Sequence, residues 1–168
     1  DAEITVENGR EQLIGDPTET ALLDLGRVNG IDKNEVDAAA PRSAEIPFDS
    51  ERKLMTTVHP EGETLLVATK GGMDELLARC NRIVDAGKVR ALTEADRETL
   101  RTANTSLAGQ ALRVLAMGYN EIEALPDEIS SATIERDLVF VGMVGMIDPP
   151  REEVKAAVAE FVLRAYVL

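Results

Sequence analysis

The sequence predicts an α+β domain in which an antiparallel β-sheet is flanked by helices. Alternating apolar and polar residues, typical of strands, occur in pairs of runs joined by short turns. Helical periodicity occurs in separate blocks and not after every strand, which favours an antiparallel sheet over a doubly wound parallel one. The 168 residues are enough for one domain with a substantial core.

The N-terminal part is predicted to contain a strand or loop and then two helices. An alternating segment with an Asn-Gly turn signal leads to residue 15. Residues 17–30 predict a helix, with a proline at its start, an apolar stripe and a glycine as its stop. Asp32 is suited to cap a second helix over residues 33–40, which Pro41 ends.

The central part changes to a period of two, which predicts three strands. They lie within residues 43–69, and the turn at 60–63 joins the last two as a hairpin. Two glycines at 71 and 72 end the third strand, and a short amphipathic helix follows over residues 73–80. A second, smaller hairpin is predicted over residues 83–91.

The C-terminal part is predicted to contribute one polar-faced helix and two strong strands. Thr93 and Asp96 form a capping pattern for a helix that ends at a glycine. Residues 111–120 and 137–146 predict strands, and an acidic, proline-bearing loop separates them. Two prolines at 149 and 150 then break the chain. The predicted division is therefore a domain over residues 1–147 and an exit hinge with a helical tail over residues 148–168.

Composition excludes several classes of function. The net charge of −13 repels nucleic-acid backbones and anionic lipid, so neither partner is expected. The single cysteine, Cys80, cannot form an internal disulfide, which suits a reducing compartment. No apolar run approaches the roughly 20 residues of a membrane helix. We therefore expect a soluble chain on the cytoplasmic side.

One of only three phenylalanines, Phe48, lies close to cations in this acidic chain. An aromatic face can stack on a purine, and a nearby lysine such as Lys53 can meet negative charge or the ring itself. The segment therefore suits an adenine nucleotide. Taken alone, it is a weak signal.

Three further segments have both a functional and an ordinary structural interpretation. Thr18 and Glu19 open a helix, and from that fixed end they could reach polar groups of a ligand. Lys70 ends a strand before Gly71, where a glycine leaves room for a flat base or ribose. Arg113 alternates away from its apolar neighbours. A plain helix start, a solvated lysine and an exposed strand arginine remain open as alternatives. No residues with catalytic or metal-ligand spacing are predicted.

Five segments in order carry a resemblance to a known family. They are residues 15–22 (GDPTETAL), 48–55 (FDSERKLM), 70–71 (KG), 111–116 (ALRVLA) and 148–151 (DPPR). In order and spacing, they resemble the cytoplasmic nucleotide-binding domain of P-type cation-transporting ATPases of type II, and most of all the calcium pumps. The resemblance extends over nearly the whole chain, from residue 15 to residue 151.

The resemblance implies a nucleotide-binding site for ATP or ADP. It implies that Phe48 stacks on adenine, that Lys53 and Lys70 line the pocket, and that Glu19 with Thr18 contacts the base side. It also implies that Arg113 with Leu115 reaches the ribose and phosphates. Met55 and Gly71, which lie in the same segments, complete the expected site.

The resemblance also implies a larger parent protein. In the family, a separate phosphorylation domain supplies the aspartate, and the parent pump uses Mg²⁺ and an actuator domain. The motifs of that chemistry are absent from this chain, so the chain alone is expected to hydrolyse nothing. The resemblance further implies a transported ion that is Ca²⁺, and a chain that starts after an early strand and helix of the family's domain.

Two departures from the family pattern keep other functions open. The family's Ala-Pro-Glu is replaced by residues 72–74, and Ser50 stands where calcium pumps of the sarcoplasmic-reticulum type have an arginine. One alternative is therefore an acidic docking module whose nucleotide pocket has degenerated. A free-standing phosphotransfer enzyme is the other, and the missing nucleophile and metal ligands argue against it.

Overall fold

The computed structural model describes residues 2–7 and 10–147 of the chain. The predicted α+β class is confirmed: a seven-stranded sheet carries helices, and a two-stranded hairpin precedes it. The predicted break at 148–151 and the helical tail after it lie outside the described residues. Within the described part, no helix is both long and apolar enough to span a membrane.

The described residues form nine strands and five helices. The strands are β1 (Glu3–Glu7), β2 (Arg10–Ile14), β3 (Ala44–Asp49), β4 (Leu54–Glu61), β5 (Thr64–Gly71), β6 (Cys80–Asp85), β7 (Lys88–Ala91), β8 (Arg113–Ile122) and β9 (Leu138–Met146). The helices are α1 (Pro17–Val28), α2 (Lys33–Ala39), α3 (Met73–Arg79), α4 (Glu94–Gly109) and α5 (Ser131–Ile134). The predicted hairpins β4–β5 and β6–β7 are both present.

The sheet is mixed and not wholly antiparallel. Its strand order is β3-β4-β5-β8-β9-β6-β7, and every neighbouring pair is antiparallel except β6 and β9, which are parallel. Turn residues in a sequence indicate which consecutive strands form hairpins. They carry no information about β6 and β9, because these partners are separated by β7, α4, β8 and α5 along the chain. The parallel pair therefore could not be predicted from local pattern.

Side-chain caps fix the starts of the main helices, and those at Asp32 and Thr93 were predicted. The Asp16 carboxylate accepts a hydrogen bond from the Thr18 amide at 2.8 Å and so begins α1. Asp32 caps α2 in the same way. Thr93 and Asp96 form a reciprocal capping box at α4. The predicted loop between β8 and β9 contains the short helix α5, which its polar sequence did not indicate.

The core lies on one face of the sheet. The larger cluster, between the sheet and α3, consists of Leu54, Met73, Leu76, Leu77, Cys80, Ala116, Leu138 and Phe140. A smaller cluster joins Val58 and Val67 to Ile134 of α5. Because side chains alternate along a strand, the residues between these core positions face the other way. The opposite face of β4, β5 and β8 is thereby left available for a site.

Candidate functional site

A cavity of about 400 Å³ lies where the start of α1 meets β3, β4, β5 and β8. This volume falls within the usual range for small-molecule sites. The lining residues are Asp16, Thr18, Glu19, Glu45, Phe48, Met55, Lys70, Gly71, Arg113 and Leu115. Eight of the nine residues predicted for the site therefore surround one space, and the ninth, Lys53, does not.

Strand register explains why residues from distant segments meet here. Met55 of β4 is paired with Lys70 of β5, and Lys70 is paired with Met117 of β8. Leu115 and Arg113 precede Met117 by two and four positions, so alternation puts them on the same face. Three neighbouring strands thus contribute one continuous wall of the cavity.

The start of α1 forms a second, polar wall. Asp16, Thr18 and Glu19 all line the cavity, and Asp16 was missed as a site residue. The hydrogen bonds from the Thr18 backbone and side chain lower the pKa of Asp16. Burial opposes this effect slightly, and the charge of Arg113 adds to it. An aspartate directly before a proline at a helix start was the available signal, because that is a capping position.

A bidentate ion pair connects this helix end to the sheet. The Lys70 ammonium donates to both carboxylate oxygens of Glu19, at 2.6 and 2.7 Å. The two side chains are only 27% and 24% exposed, so solvent screens the pair less than it would at the surface. The pair holds α1 against β5, and it leaves a cation and an anion together at the floor of the cavity.

Phe48 forms an exposed aromatic wall. Its side chain is 61% exposed, although it lines the cavity. β3 is an edge strand of the seven-stranded sheet, and its register with β4 breaks between Ile46 and Asp49, the segment that contains Phe48. A large exposed ring beside a cavity can serve as a stacking surface for a flat ligand.

Lys53 lies outside the cavity, contrary to the expectation that it lines the pocket. Its backbone has a positive φ of 54°, which interrupts the alternation that would otherwise relate it to Met55. The Lys53 ammonium donates to Glu75 at 2.6 Å, at the acidic start of α3. This hydrogen bond raises the pKa of Lys53 and lowers that of Glu75. The Lys53 side chain is 59% exposed.

The glycine at position 71 is required by a close approach of two backbone segments. A Cβ atom at Gly71 would lie 2.1 Å from the Lys53 carbonyl oxygen, and the φ of Gly71 is +153°. The next amide, of Gly72, donates to that same carbonyl at 2.9 Å. Gly71 therefore closes the turn that precedes β4 as well as lining the cavity.

A second cavity of about 350 Å³ continues along the same face of the sheet. It shares Glu19, Met55 and Lys70 with the first cavity, and it extends over Tyr119 and Val141. The shared residues make the two cavities parts of one groove. No sequence pattern had indicated this extension.

Comparison with known proteins agrees with the resemblance carried by the motifs. The family model described as "P-type ATPase, cytoplasmic domain N" matches residues 1–153. Calcium-transporting ATPase 1 of Bacillus cereus is 42% identical over 150 residues, which are 89% of this chain and 17% of that protein. A calcium-transporting ATPase of Listeria monocytogenes is 43% identical over 153 residues, 91% of this chain and 17% of that protein.

A relative with a broader name matches the same region. A cation-transporting ATPase of Synechocystis is 37% identical over 147 residues, which are 87% of this chain and 16% of that protein. The chain thus spans about 17% of the length of the calcium-transporting relatives. Since the family model covers most of the chain, the protein belongs to the P-type ATPase family, in the part described as cytoplasmic domain N.

Proposed function

We propose that this domain binds ATP in the cavity and presents it to the phosphorylation domain of a larger cation pump. The observation that carries the proposal is the convergence of an exposed aromatic ring and two cations on one cavity of about 400 Å³. A stacking surface next to cations suits a ligand with a flat base at one end and phosphates at the other.

The proposed contacts with the nucleotide rest on the positions of the lining side chains. Phe48 stacks on the adenine, while Lys70 and Arg113 supply the cations nearest to the ribose and phosphates. Glu19 and Thr18, at the start of α1, contact the base side, where a carboxylate can accept from an amino group. Lys53 is left out of this contact set because its ammonium is held by Glu75 on the α3 side.

The remaining parts of the proposal concern the parent protein. Among the described residues, no three His, Cys, Asp or Glu side chains are grouped as a metal site. We propose that Mg²⁺ accompanies the nucleotide and is held by the phosphorylation domain, and that the actuator domain is a further partner. We propose Ca²⁺ as the transported ion, because two of the relatives are named calcium-transporting ATPases.

An NMR titration of the labelled protein with ATP, with GTP as the control, tests the proposal. The expected result is a saturable change, selective for adenine, in the amides of residues 15–20, 48–55 and 70–73. A folded spectrum that does not change up to several millimolar ATP would reject it. That outcome would favour the alternative of an acidic docking module with a degenerate pocket.

A further inference from the structure

We propose that Arg52 and Glu135 are positioning residues for nucleotide binding: their buried ion pair fixes the turn that carries Phe48. The inference rests on the proposed function, since it assigns a role toward the adenine site. Neither residue lines the cavity. Both act through the backbone next to the aromatic ring.

The local fold alone does little to fix the backbone beside Phe48. The residue lies in the irregular part of an edge strand, where the register of β3 with β4 is interrupted. Its ring is mostly exposed, so packing contributes little to holding it. A stacking residue must nevertheless be held in place before the ligand arrives if binding is not to cost conformational entropy.

Arg52 provides the missing support from the turn that follows β3. Its Nη2 donates to the carbonyl oxygen of Pro47, the residue before Phe48, at 2.6 Å. Its backbone amide donates to Asp49 Oδ1 at 2.7 Å, which closes the turn that follows Phe48. The Arg52 side chain is 12% exposed, although it belongs to a surface turn. One arginine therefore fixes the backbone on both sides of Phe48.

The second terminal nitrogen of the Arg52 guanidinium is anchored in the core. Its Nη1 donates to Oε1 of Glu135, whose side chain is fully buried. Glu135 follows α5 directly, so the anchor comes from the connection between β8 and β9, far from β3 in sequence. The pair thus connects the turn at the cavity with an element on the opposite face of the sheet.

The surroundings of Glu135 make it a rigid anchor. Thr56 Oγ1 donates to Glu135 Oε1 at 2.6 Å, and it lies 2.9 Å from Thr69 Oγ1. Ser131 Oγ donates to the other carboxylate oxygen, and Arg79 Nε is 3.8 Å from that oxygen. A buried polar network whose members are all bonded holds a single arrangement. The Arg52 guanidinium is therefore directed away from the cavity and toward a fixed acceptor.

This geometry makes a prediction that separates positioning from direct contact with phosphate. A residue that positions the stacking ring affects adenosine and ATP by the same factor, because both ligands have the base. A residue that contacts the phosphates directly affects the affinity for ATP much more than the affinity for adenosine. Arg52→Gln should therefore lower the affinities for adenosine and ATP by the same factor. We expect roughly fivefold or more, which corresponds to a partial loss of the stacking energy.

The test is a pair of NMR titrations, with adenosine and with ATP, on four proteins. They are the wild type, Arg52→Gln, Glu135→Gln and the control Arg97→Gln. Arg97 is also a half-buried arginine, with its guanidinium bonded to the carbonyls of Leu77 and Cys80, outside the cavity lining. The control should lose stability to urea and keep both affinities. Arg52→Gln and Glu135→Gln should lose both affinities in parallel.

Variants that unfold are replaced by Arg52→Lys. A lysine keeps a charge for Glu135, but it cannot bridge Glu135 and Pro47 with a planar fork, so binding should still weaken. NMR gives a readout without ligand: the amides of residues 48–53 should shift or broaden in Arg52→Lys and stay unchanged in Arg97→Gln.

Each outcome has a distinct meaning. Adenosine affinity that stays at the wild-type value in Arg52→Gln, or ATP affinity that falls much more than adenosine affinity, would overturn the positioning role. Unchanged amide signals of residues 48–53 would overturn it as well. A wild type that binds neither ligand would instead reject the proposed function, and the ligand-free NMR comparison would still decide whether the pair fixes the turn.

Discussion

Replacing Phe48 by alanine is the sharpest perturbation of the proposed adenine site. Phe48 is 61% exposed and lies on an edge strand, so its truncation should change the free energy of unfolding by no more than about 0.5 kcal/mol. Stacking of a base on an aromatic side chain is worth roughly 1–3 kcal/mol. The variant should therefore lose roughly 5- to 150-fold in ATP affinity while it stays folded.

The size of this loss determines the assay. One stacked base and a few partly exposed charges suggest a wild-type dissociation constant on the order of 0.1–1 mM. The loss expected for Phe48→Ala would move it to about 0.5 mM at the least and above 1 mM over most of the range, where calorimetry is unreliable. An NMR titration still measures binding in that range. Urea unfolding of the same samples provides the stability comparison.

Two further variants make the result specific. Phe48→Tyr keeps a ring and should keep most of the affinity. Val89→Ala removes another exposed apolar side chain, on β7 at the other edge of the sheet, and should leave the affinity unchanged. If Phe48→Ala binds ATP as the wild type does, the stacking argument is wrong. If it loses binding together with several kcal/mol of stability, the ring has a structural role that its exposure does not reveal.

Three more results are expected. Lys70→Ala should weaken ATP binding roughly tenfold, as for the loss of one charge-assisted hydrogen bond, whereas Lys53→Ala should weaken it less than about threefold; the same titration compares them. Gly71→Ala should lower the free energy of unfolding by about 3 kcal/mol or more, because its Cβ would meet a carbonyl oxygen at 2.1 Å. Gly62→Ala should lower it by about 1 kcal/mol, because the space around it is open and only its positive φ of 62° opposes a side chain. Urea unfolding measures both. Burial raises the pKa of the Cys80 thiol to about 12, so at about pH 8 a chromogenic thiol reagent should react only when the domain opens, and urea should accelerate the reaction.

The sequence contains enough information to locate most of the cavity. Alternation along β4, β5 and β8 puts Met55, Lys70 and Leu115 on the face opposite the core, and capping fixes the helix end that carries Glu19. These are local rules, and they apply wherever an element is regular. The motif resemblance supplied what they cannot, namely the expectation that the segments converge on one site.

The differences between prediction and structure occur where regularity ends. Lys53 was expected in the pocket, but a positive φ within a turn changes which way a side chain leaves the strand. No sequence pattern relates Arg52, in the turn after β3, to Glu135, in the connection between β8 and β9. Their pairing joins positions 83 residues apart, and only the folded sheet brings them together. No periodicity marks such a contact, because it depends on which elements become neighbours.

The charge of the chain bears on how firmly such a site can hold an anion. The cavity is lined by three carboxylates and two cations, and one cation, Lys70, is already paired with Glu19. An incoming phosphate therefore has to compete for Lys70, or rely on Arg113, within a protein of net charge −13. Screening over about 8 Å at physiological salt limits the repulsion from distant acids, but it does not remove the carboxylates in the cavity. Affinity then depends mainly on the stacked base. Such a site would release a nucleotide easily, which suits the proposed delivery of ATP to another domain.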